Sequence, residues 1–235
     1  MRNRSNYKYL FAILPMFWLH SCTKNIDYQK MYEVSHHVES YTETYHEAEL
    51  RFGEWSIGER LYGYPVETIT FNREGIPLQI LIESEWNISS FRYENVIENK
   101  LIVGFSTYND DDEEIERAKY NNQSISGWNI NVINSSGDTI RSSKIELDNG
   151  RNKKVVYKNY ENDLFQEILF HYKDGYTSQI DISSGSVENE LNGDPNILRY
   201  EYLEFDEFGN WKKRLVFRGD SKEPLHIMVR KLEYF

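Results

Sequence analysis

The chain has 235 residues, a formal net charge of −11, 18 Tyr and 12 Phe. That length suits one large domain or two small ones. The wealth of aromatic and β-branched residues argues against disorder, and the acidity argues against a protein built to neutralise nucleic-acid phosphates. Tyr, Ile, Val and Thr favour pleated strands.

The first element is a leader. Arg2, Arg4 and Lys8 precede an apolar run, Leu10 to Leu19, broken by Pro15. The run is too short for a spanning helix, which needs about 20 apolar residues, and its layout is that of a secretory signal over residues 1–21. Leu19-His20-Ser21-Cys22 resembles the lipobox of bacterial lipoproteins, with His20 departing from the usual small residue. The resemblance implies cleavage before Cys22, a diacylglyceryl thioether on its sulfur and an acyl chain such as palmitate on the new amine. Two or more acyl chains anchor stably where one does not. Cys22 is the single cysteine, so no intramolecular disulfide forms. Loss of residues 1–21 makes the remainder three units more acidic. Lys24 and Asn25 stand behind Thr23, with no acid at the second position, so the resemblance implies the outer membrane, facing either the periplasm or the outside.

Residues 22–30 read as lipidated cysteine and polar tether, and 31–235 as one β domain. Tyr32 to Leu50 mixes helix-forming Glu and Ala with Val38, Tyr41 and Tyr45, and is read as strand. Beyond it, turn residues recur at Asn72–Gly75, Asn109–Asp111, Asn134–Gly137, Asp148–Gly150, Asn162-Asp163, Lys173–Gly175, Ser184-Gly185, Asn192–Pro195 and Asp206–Gly209. Gly137, Gly150, Asp163 and Gly175 stand 13, 13 and 12 residues apart. Such a stride leaves about eight residues per strand, the signature of an all-β meander. The predicted fold is an antiparallel meander of tandem β-hairpins in a strongly twisted or curled sheet, because flat sheets of a dozen strands are unusual; whether the sheet rolls up or closes is left open by the sequence. Within Trp211–Phe217, alternation puts Trp211, Lys213, Leu215 and Phe217 on one side. Within Leu225–Phe235 it sets Leu225, Ile227 and Val229 against His226, Met228 and Arg230.

The stations share a loose unit: apolar-x-aromatic-Asn/Asp-x-x-Gly-x-apolar. It is clearest in "LEFDEFGNWKKRLVF", visible in "TITFNREGIPLQILI", and weaker in "NVINSSGDTIRSSKI". The segment from Val38 to Phe235 resembles the YD repeats of Rhs proteins and, more closely, the repeat lipoproteins of Bacteroidetes. That resemblance implies hairpin arrays that coil or close. It brings no shared catalytic residue and no cofactor.

Catalytic and metal patterns are missing. The six His lack zinc-ligand spacing, and there is no nucleophile elbow or phosphate-cradling Gly loop. Asp110–Glu114 lacks the alternation and Gly of a calcium loop and reads as a solvated hairpin tip. Trp55, Trp86, Trp128 and Trp211 sit near turns. Exposed, they would make a sugar- or peptide-stacking platform; buried, they pack the sheet. The expectation is a lipid-anchored, non-catalytic scaffold or binding module for an envelope component, glycan or protein. Two alternatives stay open: a glycoside-type hydrolase with acids from loop tips, and an interaction module that adds a partner strand to an exposed sheet edge.

Overall fold

The computed structural model describes residues 26–35, 37–83, 90–134, 136–187 and 194–235. One helical turn, α1 (Tyr28–Met31), precedes fifteen strands among these residues. They are β1 (Val38–Arg51), β2 (Glu54–Arg60), β3 (Val66–Phe71), β4 (Pro77–Glu83), β5 (Phe91–Glu98), β6 (Leu101–Tyr108), β7 (Glu114–Ser124) and β8 (Gly127–Ile133). Then come β9 (Thr139–Asp148), β10 (Arg151–Asn159), β11 (Leu164–Lys173), β12 (Tyr176–Gly185), β13 (Asn196–Phe205), β14 (Trp211–Arg218) and β15 (His226–Tyr234).

From β3 to β15 each strand pairs antiparallel with the next. The ring closes through β1, which pairs with β3 over Ser40–Glu43 and with β15 over Val38–His46. Past His46, β1 runs on to Arg51 and pairs with β2 instead. The fold is therefore the predicted meander, closed as a barrel of fourteen strands with β2 as an extra flap. Closure occupies both terminal strands, so the free edge needed for strand addition at β1 and β15 does not exist over Val38–His46.

Among the described residues the turn stations lie where expected, with one exception; Asn192 and Gly193 lie outside that set. Asn72, Asn134 and Asp206 each accept, through a side-chain oxygen, backbone N–H groups two and four residues on, and Gly75, Gly137 and Gly209 take the positive φ that ends each turn. Ser184-Gly185 differs: both residues pair with β11 inside β12.

The two ends of the barrel are unlike. Short reversals at 72–76, 99–100, 125–126, 149–150, 174–175 and 206–210 share one end with the start of β1 and the end of β15. Longer connections, including 109–113 and 219–225, share the other. The first end is closed by the chain itself. Around α1, the Tyr28 hydroxyl accepts from Ile102 N at 3.0 Å, Tyr32 meets Phe71 edge-on, and Glu33 accepts from Thr177 N at 2.6 Å. Arg230 donates to the carbonyls of Tyr32 and Glu33. These partners stand on β3, β6, β12 and β15, all round the ring, so the segment lies inside the lumen as a plug. Residues 26–30, read from the sequence as part of a polar tether, already belong to the fold: Tyr28 and Gln29 are buried.

Pairing register sorts the side chains, since directly opposed residues share a face. The lumen receives Ile69 and Ile80, Phe105 and Ala118, Tyr120 and Ile130, Val155 and Ile168, Ile180 and Leu198, and Tyr200 and Val216. The exterior receives Ser106 and Arg117, Lys119 and Asn131, Leu169 and Asp181, Gln179 and Arg199, and Thr42 and Lys231. A barrel that spans a membrane needs the opposite: an apolar outer band, with each Arg or Lys at mid-depth costing about 2–4 kcal/mol. The outer wall of this barrel is suited to water. Among the described residues no helix is long and apolar enough to cross a membrane either.

One face assignment changes. Alternation predicted Trp211 beside Lys213, Leu215 and Phe217. A register shift between β13 and β14 turns Trp211 inward with Arg214 and leaves Lys213 outside. In β15 the mixed set His226, Met228 and Arg230 faces the lumen and is buried. Ile227 faces out, yet is buried with Leu215 and Phe217 against Ala48 and Trp55 of the β1–β2 hairpin, which covers this part of the outer wall.

Candidate functional site: a plugged apolar lumen

The floor of the lumen is an ionic cluster beneath the plug. Glu33, with 7% of its side chain exposed, accepts from Trp211 Nε1 at 3.1 Å, Tyr202 OH at 3.3 Å and Arg214 at 3.3 Å as well as from Thr177 N. Burial opposes its charge, but Arg214, the Thr177 bonds and Arg230 outweigh burial and hold its carboxyl below the usual glutamate range. Arg230 donates to Glu43 Oε1 at 3.0 and 2.5 Å and lies over the rings of Trp211 and Tyr41, 3.8 and 4.1 Å from their centroids. The two arginines are thus paired, stacked and dry, a use for which the planar guanidinium is suited.

Glu67 is the exception. It opposes Glu43 across the β1–β3 pair, and among the described residues no hydrogen bond or ion pair holds its carboxyl. Burial, then Glu43, push its pKa up to about 7, against the pull of Arg230. Farther along, Tyr45 stacks on Tyr64 at 4.9 Å, and His226 meets both rings at 5.1 and 5.2 Å. Burial, and secondarily Arg214, lower the His226 pKa to about 4, so the ring is neutral at pH 7, with Nδ1 unpartnered.

Above this floor the lining is mainly aliphatic and aromatic, interrupted by Ser143 and Gln166. Ile82, Tyr93, Tyr157, Ile168, Ile182 and Tyr200 are only half-buried, although neighbouring wall positions nearer the plug, such as Trp128 and Ile130, are buried. The lumen is packed at the plugged end and lined by accessible apolar side chains towards the other. Arg141 pairs with Glu116 within it.

The described tryptophans do not form a platform. Trp211 is fully buried and Trp128 nearly so, 6.3 Å from the Tyr28 ring and stacked on Tyr120. Trp55 lies outside on the flap. Trp86 and Cys22 lie outside the described residues. The loop-tip acids are spent locally: Asp110 accepts from Ser90 N, Asp112 pairs with Arg92 and Asp163 accepts from Val187 N. Among the described residues no group of three or more His, Cys, Asp or Glu is placed to hold a metal. Sequence reading missed Glu33, Glu43, Glu67, Arg214 and Arg230. The one visible signal was Arg230 within an otherwise apolar alternating run.

No protein-family model matches the chain, and no curated protein matches it. Among solved structures it is similar to a porin-like protein from Bacteroides vulgatus, with 12% identity and a TM-score of 0.45 over 84% of this chain and 98% of that one. It is also similar to a porin-like protein from Bacteroides uniformis, with 7% identity and a TM-score of 0.44 over 83% of this chain and 96% of that one.

Proposed function

We propose that the protein is a lipid-anchored component of the outer membrane, held through Cys22, that binds an amphipathic envelope molecule without catalysis. The hydrocarbon part occupies the apolar lumen. One observation carries the reading: the barrel is polar outside and, beyond the ionic floor, mainly apolar inside, sealed at one end and lined by half-buried Ile and Tyr towards the other. A water-filled pore would have a polar lumen, whereas ligand sites are mostly apolar and carry a few polar groups that fix orientation. Glu67 and His226 supply such groups here. A glycan platform has less support, since the tryptophans are dispersed.

The test is titration with dansyl-labelled undecanoate. One-to-one saturable binding is expected, weakened at least tenfold by Ile182→Arg, which places a cation on the lumen wall. No saturation, or equal affinity in the variant, refutes the reading.

A hydrolase has one observation in its favour: Glu67, opposed to Glu43, is protonated enough near pH 7 to act as an acid. Glu43, locked to Arg230, is a poor second carboxylate. Turnover of nitrophenyl glycosides that disappears in Glu67→Gln would favour this reading over binding.

A further inference from the structure

We propose that the plugged end of the barrel docks on the lipid surface, with Ile125, Phe205, Phe208 and Phe235 at headgroup level, and that the lumen opens away from the membrane. The proposal rests on the lipid anchor at Cys22. Four residue steps separate Cys22 from Ile26, and extended chain covers at most about 14 Å in that distance. Ile26 packs against the buried cluster of α1, Trp128 and Leu147, beside Ile125, Asn149 and Gly150 of the 125–126 and 149–150 reversals. The tether therefore emerges at the plugged end.

A ten-residue strand runs about 33 Å, or roughly 25 Å along the axis at barrel tilt. The far rim is thus beyond reach of a lipid on Cys22 unless the barrel lies on its flank, and its flank is charged. The near rim is equipped for contact. Ile125, Phe205, Phe208 and Phe235 are 53, 41, 49 and 50% exposed at reversals or at the chain end. Arg73 lies 5.9 Å from the Phe235 centroid, placing a cation beside an apolar ring where phosphate headgroups would meet it. Exposed apolar side chains also stand at the far end, Phe52, Tyr62 and Tyr160 among them; it is the exit of the tether that selects this rim as the one to meet the lipid.

Cys22 is the only cysteine, so the full chain couples to a maleimide-headgroup lipid in phosphatidylcholine–phosphatidylethanolamine vesicles whether or not cells acylate it. Hydroxyl-radical footprinting then reads side-chain exposure. At least threefold protection of Phe208 and Phe235 is expected, with Phe52 and Tyr62 at the far end unchanged. Ile125→Glu/Phe208→Glu should lose the Phe235 protection while keeping the strand circular dichroism. Protection at Phe52 and Tyr62, or none at Phe208 and Phe235, overturns the proposal. Palmitate labelling of Cys22 in cells reads the anchor separately: an unlabelled chain whose tethered form gives the expected footprint removes the anchor and keeps the docking face.

Discussion

Glu33→Ala tests whether the plug is an integral part of the barrel. The substitution removes the one acceptor shared by Thr177 N, Trp211 Nε1, Tyr202 OH and Arg214, and leaves Arg214, with 12% of its side chain exposed, without its direct carboxylate partner. Breaking a buried ion pair on one side costs about 3–5 kcal/mol. For a domain of this size each kcal/mol moves Tm by about 2–4 °C, so about 4 kcal/mol lowers Tm by about 8–16 °C. Urea unfolding followed by tryptophan fluorescence supplies the free energy, and limited proteolysis reports cleavage within residues 26–35. Arg214→Met added to Glu33→Ala should restore part of the loss, since no orphan cation then remains. The folded-state pKa of Glu33 is depressed, so its contribution is present above the ordinary glutamate pKa and is lost as pH falls through the lower folded value. Plug cleavage should therefore rise in acid in the wild type and lose that dependence in Glu33→Ala. A cost below about 1 kcal/mol, or an unchanged cleavage pattern, would show that the Glu33 network does not hold the plug.

Glu67 has the opposite sign. Its folded-state pKa is raised, so the stability it permits is present at low pH and declines as pH rises towards about 7. Glu67→Gln should match the wild type near pH 4 and exceed it above pH 7 by roughly 3 kcal/mol; a pH-independent difference would refute the assignment. Trp55→Ala should uncover Leu215, Phe217 and Ile227, costing about 2 kcal/mol and increasing fluorescence of an exterior apolar dye. Gly127→Ala should disrupt the β7–β8 reversal, because Gly127 has φ +140° and an added methyl group would collide with the Ile145 carbonyl. Wild-type Tm would contradict that steric reading.

The local grammar of the fold was legible from residue type. Asx side chains and positive-φ glycines favour tight reversals, so Asn72–Gly75, Asn134–Gly137 and Asp206–Gly209 could be placed from residue type alone, and the stride between them set the strand lengths. Closure was a matter for the tertiary structure. β1 and β15 meet across almost the whole chain, Glu43 with Arg230, and nothing local encodes such a pairing. The same holds for the lumen. Alternation separates two faces of a strand but cannot tell which becomes interior, and the β13–β14 shift reversed the side taken by Trp211. Glu33 looked like one polar residue among many beside a tether. Only the closed ring surrounds it with Arg214, Trp211, Tyr202 and Thr177, and removal from water converts an ordinary carboxylate into the bolt of the plug.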